Sequence, residues 1–300
     1  MSHIRQKIFS IIQVLFIFVV FVHFSNMTVL AEEDNYVLEK DITFSTFDHV
    51  WLNLDLARPT KGKAPYPAII FIFGGWWKMG SRGQYNIEIR QAAERGYVAI
   101  TVDYRLTSAK KGGKAKYPFP AQVHDVKCAV RWLRANAKMY NIDSKRIGAL
   151  GYSSGGHLAL LLGLTDSSDK LEGKCGKMRY SSKVQAVVNL AGITELESCY
   201  YNSKTGQSYI QDLLGGTPEE IPKLYITASP ISYVSRDDSP VLSIHGDKDV
   251  DVPPSQAELL DTKMKDVGAP HTLIILNDTG HLVNVDDTVW DFFDTHLKVK

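Results

Sequence analysis

The sequence predicts an α/β architecture: a mostly parallel eight-stranded sheet with helices on both faces and an antiparallel strand pair at its N-terminal end. Three observations carry that expectation. A stretch of strict period two opens the chain's regular part, short β-rich runs then alternate with segments of helical period, and one helical segment is apolar all round.

At 300 residues with 44% hydrophobic residues, the chain can enclose one large core. No repeat, low-complexity tract or linker interrupts it, which favours a single domain over residues 32–300. The first 31 residues stand apart. Arg5 and Lys7 precede an apolar run from Ile8 towards Leu30 that closes on Ala31, the layout of a signal peptide cleaved after Ala31. An uncleaved membrane anchor through residues 8–30 is the alternative, but Gln13, His23, Ser25 and Asn26 dilute the run below a good span. The expected location is therefore secreted or periplasmic. Cleavage removes two of 34 basic residues and none of 33 acidic ones, leaving a net charge near −1 that draws neither nucleic acid nor an anionic membrane. Three cysteines leave at least one thiol unpaired; Cys175 and Cys199 flank a loop-like region where a bridge is open, with three free thiols the alternative. No Cys/His spacing resembles a zinc site.

Along the chain, alternation from about Tyr36 to Leu56, stopped by Pro59, reads as two antiparallel entry strands. Runs at 68–73, 97–102, 146–152, 184–190, 240–245 and 271–276 read as buried strands. Helical patterns fall at 84–95, 120–138, 155–164, 255–267 and 286–298. In the second of these, Val123, Val126, Val130, Leu133 and Ala137 make one apolar stripe, with Lys127, Arg131 and Arg134 off it, so one face packs on the sheet. The third, from His157 to Leu164, is apolar on every side and reads as the central buried helix. Residues 192–239 are the least regular and read as a small flap over a site.

Between the strand ending at Tyr152 and that central helix lies Gly151-Tyr-Ser-Ser-Gly-Gly156, a G-x-S-x-G turn with Ser153 at its centre. A turn this tight strains its central residue, and glycines two residues to either side remove side chains that would collide. The hydroxyl then projects from the sheet beside a helix N-terminus. Ser154 lacks the symmetric glycines, and its backbone N–H is better placed as an oxyanion donor. His157 reads as a core histidine. A serine hydroxyl needs a histidine to take its proton and a carboxylate to orient that histidine. Two later loops leave strand ends on the same side of the sheet: one carries Asp247, Asp249 and Asp251, the other Gly280 and His281. Spacing alone does not choose among the three aspartates. His245 and His271 read as strand-end residues.

From Phe119 to Lys138, through Asn141–Gly148, to Gly151–Ala159, the sequence resembles the α/β-hydrolase superfamily. Within it the likeness is to the secreted carboxylesterase branch that holds the bifunctional deacetylase/feruloyl esterases, related to hormone-sensitive-lipase-like esterases. That resemblance runs from about Tyr66 to the C-terminus and implies an α/β-hydrolase fold. The family pattern H-G-x-x-D-x-x-V-P falls on His245, Gly246, Asp249, Val252 and Pro253, which implies Asp249 as the acid, with Asp251 the runner-up. The family's H-G-G-G-W loop falls on Phe73, Gly74, Gly75, Trp76 and Trp77, which puts oxyanion donors at Gly74, Gly75 and Ser154. Two positions depart from the pattern: Phe73 stands where the family has a loop-anchoring histidine, and Trp76 replaces its third glycine. Trp76, Trp77 and Tyr152 are the expected substrate contacts, although Trp77, which matches the family's tryptophan, also reads as structural.

The resemblance thus implies a serine carboxylesterase acting on short acyl or aryl esters, including acetyl or feruloyl groups on plant carbohydrate, without metal or organic cofactor. A prolyl-oligopeptidase-like peptidase shares the triad order but carries an N-terminal propeller for which this chain has no length. A long-chain lipase needs a broad apolar lid, and 192–239 is polar and short. A non-catalytic binding protein on the same fold normally breaks the triad.

Overall fold

The computed structural model describes residues 35–47, 49–110, 113–175 and 178–298; the expected signal peptide and its anchor alternative lie outside them. Alternating side chains on β1 (Tyr36–Phe47) and β2 (Val50–Pro59) zip into an antiparallel pair. Then follow β3 (Tyr66–Ile72), β4 (Val98–Val102), β5 (Ser108–Lys110), β6 (Gly113–Lys116), β7 (Ile142–Tyr152), β8 (Ala186–Leu190), β9 (Val241–Gly246) and β10 (His271–Leu276). The main sheet has eight strands in the order β1-β2-β4-β3-β7-β8-β9-β10, antiparallel through β2 and β4 and parallel thereafter. The antiparallel ribbon of β5 and β6 stands outside it and was not legible, because its lysine- and glycine-rich stretch carries no alternating apolar pattern.

The helices are α1 (Glu88–Glu94), α2 (Ala121–Ala135), α3 (Ala137–Tyr140), α4 (Ser154–Leu164), α5 (Leu196–Asn202), α6 (Gln207–Leu214), α7 (Pro222–Ala228), α8 (Ser255–Val267) and α9 (Asp287–Leu297). Every residue of α4 is buried, as its uniform apolarity predicts. None of the helices among the described residues is long and apolar enough to cross a membrane.

Two features differ from what the sequence pattern alone suggests. The cationic side of α2 is not left on the outside: Lys127 and Arg131 are fully buried. Glu172, in the segment that follows α4, accepts from Lys127 Nζ at 2.8 Å and from Arg131 Nη1 at 2.6 Å, so the two charges are paired inside. Arg134 is covered as well, donating to the carbonyls of Ser144, Ser181 and Lys183. The flap, in turn, is helical: α5, α6 and α7 each press a few apolar residues, among them Leu196, Cys199, Ile210, Leu213 and Tyr225, into the core. Each of those helices is too short for a readable period, which is why the segment looked irregular.

Candidate active site

Parallel strands deliver their C-terminal ends to one edge of a sheet, and the loops after β3, β7, β9 and β10 meet there. Ser153 sits between the last residue of β7 and the first of α4, with φ 56° and ψ −122°. Such a conformation costs on the order of 1–3 kcal/mol for a residue with a side chain and persists only where the surroundings impose it. Here they do. An added Cβ at Gly155 would lie 2.1 Å from the Ile72 carbonyl oxygen, so the elbow is pressed against the end of β3 and only glycine fits.

His281 reaches the elbow from the loop after β10. Its Nδ1 lies 2.6 Å from Asp249 Oδ2 and its Nε2 2.9 Å from Ser153 Oγ. A carboxylate only accepts, so Nδ1 carries the proton and Nε2 is left to accept from the serine hydroxyl. The Asp249 side chain is fully buried, yet well provided with donors: the Asp251 and Val252 N–H groups at 3.0 and 2.9 Å, besides His281, while His245 Nε2, hydrogen-bonded to the Val252 carbonyl at 2.8 Å, lies 3.2 Å from Asp249 Oδ2. Burial alone would push its carboxyl up. The nearby His245 and His281 imidazoles and the backbone N–H groups outweigh burial and hold it well below the usual carboxylate range.

The three aspartates of that loop have separate duties. Asp247 accepts from Thr279 N–H at 3.1 Å, tying this loop to the one that carries His281. Asp249 faces the histidine. Asp251 turns to the flap, where Thr205 Oγ1 donates to its carboxylate at 2.8 Å and Ser203 Oγ to its carbonyl.

The loop after β3 completes the site. A Cβ added at Gly74 would meet the Tyr152 carbonyl at 2.8 Å and Ser153 Cβ at 3.2 Å, which places the Gly74 backbone beside the serine. Gly75, at φ 121°, turns the chain so closely that a Cβ there would strike the Met79 carbonyl. Ser154 opens α4, and its N–H belongs to the helix's unpaired first turn. Phe73, where the resembling family has histidine, is anchored by Tyr104: the rings stack at 4.3 Å and the Tyr104 hydroxyl donates to the Phe73 carbonyl at 3.0 Å.

The two tryptophans part company. Both have left-handed backbones, φ 52° and 56°. Trp77 is fully buried, its Nε1 donating to His157 Nδ1 at 3.1 Å, and His157 Nε2 donates onward to the Ala228 carbonyl at 2.8 Å. Burial holds His157 down to about 4, so it is neutral and able to accept. The expectation that Trp77 touches substrate is therefore wrong, since no surface of it is accessible; it fixes the glycine loop to the core instead. Trp76 is half-buried and stacks on Tyr209 of α6, ring centroids 5.5 Å apart and planes within 5°. Lys78 adds an ion pair to Asp212 of the same helix at 2.7 Å. Tyr152 is half-buried with its ring 5.0 Å from that of His281.

Sequence reasoning missed His245 as a neighbour of Asp249, Tyr104 as the loop's anchor, and Tyr209 as the partner of Trp76. His245 had a signal, since it opens the pattern that singled out Asp249; the other two lie in unrelated segments. Among the described residues no group of three His, Cys, Asp or Glu side chains is arranged to hold a metal ion.

Comparison with known proteins adds a family. The family model described as BD-FAE matches residues 54–264. Esterase LipC of Mycobacterium tuberculosis (strain ATCC 25618 / H37Rv) is 33% identical over 214 residues, covering 69% of this chain and 49% of that protein. The chain spans about half the length of the first curated relatives it matches. Among solved structures, a truncated form of a carbohydrate esterase from gut microbiota superposes with a TM-score of 0.74 at 29% identity, over 88% of this chain and 97% of that one. A thermophilic esterase of Thermogutta terrifontis gives 0.67 at 25% identity, over 87% and 90%.

Proposed function

The chain belongs to the BD-FAE family, whose model matches residues 54–264, and we propose that it hydrolyses carboxylic esters through an acyl-enzyme. The observation that carries this reading is the unbroken line from Asp249 through His281 to Ser153, ending beside Gly74 and the first turn of α4.

Ser153 Oγ attacks the ester carbonyl while His281 Nε2 takes its proton. Asp249, charged and fixed by backbone N–H groups, holds the imidazole in the accepting tautomer and stabilises the cation that forms. The N–H groups of Gly74, Gly75 and Ser154 face the developing oxyanion; one such donor is worth about 3 kcal/mol of barrier. The tetrahedral adduct collapses, the alcohol leaves with the proton from His281, and water repeats the sequence on the acyl-serine.

The substrates in this reading are short acyl or aryl esters, among them acetyl or feruloyl groups on carbohydrate, met outside the cytoplasm. The likeness to a carbohydrate esterase supports the class. Exposed Met79, Val250 and Leu282, one on each of three loops around the site, suit the apolar part of such an ester, with Trp76 and Tyr152 as the nearer contacts.

A series of p-nitrophenyl esters beside acetylated and feruloylated oligosaccharides tests both levels. Turnover of p-nitrophenyl acetate is expected, and its absence overturns the esterase reading. Turnover of the simple esters alone removes the carbohydrate and keeps the chemistry. Asp249→Asn should cost far more activity than Asp251→Asn, about 10⁴-fold against a few-fold, and the reverse order would move the acid.

A further inference from the structure

Cys175, in the segment after α4, lies against the face of α2 that carries Cys128. Its Sγ is 3.5 Å from the His124 carbonyl oxygen and 3.7 Å from Arg131 Nη2. In an α-helix the carbonyl of residue i points at the N–H of residue i+4, so the His124 oxygen marks the position of Cys128, and Arg131 stands almost one turn beyond it. The Cys175 thiol therefore sits over Cys128. Its segment is held there firmly. A Cβ at Gly173 would meet the His124 ring at 2.6 Å, Glu172 is locked between Lys127 and Arg131, and Arg131 Nη2 also donates to the Cys175 carbonyl at 3.1 Å. All three thiols are free in this structure; Cys199 is buried on α5 in another part of the molecule, so the bridge to Cys175 that the sequence left open is absent.

We propose that Cys128 and Cys175 form a disulfide under oxidising conditions, with Cys175 as the thiol that reacts first, Cys128 as its resolving partner, and Cys199 left free. Access orders the two steps: Cys175 is half-buried and Cys128 fully buried, so an external reagent meets Cys175. Electrostatics orders them the same way. The contact with Cys128 and the Arg131 guanidinium bring the Cys175 thiol down to about 7 against its burial, while the same contact and burial push Cys128 up. With a small disulfide such as oxidised glutathione, the Cys175 thiolate attacks one sulfur, forming a mixed disulfide and expelling one glutathione thiolate. Cys128 then gives up its proton and attacks Cys175 Sγ, expelling the second. Two protein thiols are oxidised, one disulfide is reduced, and two thiols of glutathione are released. The cross-link ties the segment that buries Lys127 and Arg131 to the helix that carries them, closing a long loop of chain.

The test treats the folded protein with oxidised glutathione, alkylates it in denaturant and maps its peptides by mass. Expected are a loss of two hydrogens, a linked pair of peptides holding Cys128 and Cys175, and alkylation at Cys199 alone. The Cys199→Ser variant should behave likewise, and Cys128→Ser should stop at glutathione on Cys175. The oxidised form should melt on the order of 5 °C above the reduced one, a gap absent in Cys175→Ser. Alkylation of all three cysteines after treatment, or a linked peptide containing Cys199, overturns the proposal. Ester hydrolysis is not the readout, so this outcome and that of the esterase test are independent.

Discussion

The described residues contain two Ser–His–Asp lines of nearly the same local geometry. In one, Asp249 Oδ2, His281 and Ser153 Oγ are joined at 2.6 and 2.9 Å; in the other, Asp261 Oδ1, His271 and Ser243 Oγ are joined at 2.9 and 2.9 Å. In both, the carboxylate accepts a hydrogen bond from Nδ1–H and leaves Nε2 facing a hydroxyl. Their surroundings differ. Ser243 lies in the middle of β9, fully buried, and also accepts from Asn189 Nδ2 at 3.2 Å, so no carbonyl has a path to it. Ser153 lies on a strained elbow at a strand end, against Gly74 and at the opening of α4. Asp261 is tied to Lys265 at the surface, whereas Asp249 is enclosed and held by backbone donors. Hydrogen-bond distances alone therefore do not separate the two lines; the elbow, the neighbouring backbone N–H groups and the access do.

Removing each serine in turn would break this contrast most directly. Ser153→Ala should lower kcat by about a millionfold with little change in melting temperature. Ser243→Ala should leave kcat within about two-fold and cost about 1–3 kcal/mol of stability, because Asn189 and His271 lose a buried partner. Steady-state kinetics with p-nitrophenyl acetate and thermal melts read both effects. Comparable losses of kcat in the two variants would show that the distinction is false.

A weaker effect separates the pair by pH. His271 is held below its ordinary value, chiefly by burial and with help from the Lys265 charge, against the opposing pull of Asp261. The unfolded chain therefore takes up this proton first as the pH falls. Stability from a neutral His271 is whole above about pH 6.5 and drains as the pH falls toward the folded value. His157, down at about 4, acts in the same direction. Melting temperature should fall between pH 7 and 5, and His271→Gln, which does not titrate, should flatten part of that slope. An unchanged slope would mean that His271 takes up its proton over the same pH range in the folded and unfolded chains.

How much of this was readable depended on whether a residue's role is fixed by its neighbours in sequence. Ser153 was legible because the strand, turn and helix that strain it are contiguous, and α4 because its uniform apolarity is local. The three aspartates were not separable by spacing: their side-chain directions follow from how the turn after β9 meets two other segments, the flap and the loop after β10. The second triad was hidden for a stronger reason. Period-two alternation tells which face of β9 Ser243 occupies, but not that His271 stands across from it or that Asp261 reaches over from α8. The burial of Lys127 and Arg131 was likewise invisible, since Glu172 comes from a segment beyond the next strand and helix.

The smallest predicted effect probes the wall toward substrate that we propose for the exposed line. Trp76 stands where the resembling family keeps a glycine, and its backbone, at φ 52°, is one that glycine adopts without strain. Trp76→Gly should therefore fold, losing a ring stack with Tyr209 worth about 0.5–1.5 kcal/mol and easing the backbone. Gly206 lies against the outer edge of the indole, so removing the ring opens a gap between the glycine loop and α6. Longer acyl chains should then gain roughly tenfold in kcat/KM relative to acetate, the scale on which one or two methylenes are discriminated. The change should sit in that ratio and leave melting nearly alone. An unaltered chain-length profile would show that the Trp76 ring serves only to hold the flap, and that the width of the acyl pocket is set by Tyr152 and the loop bearing Leu282.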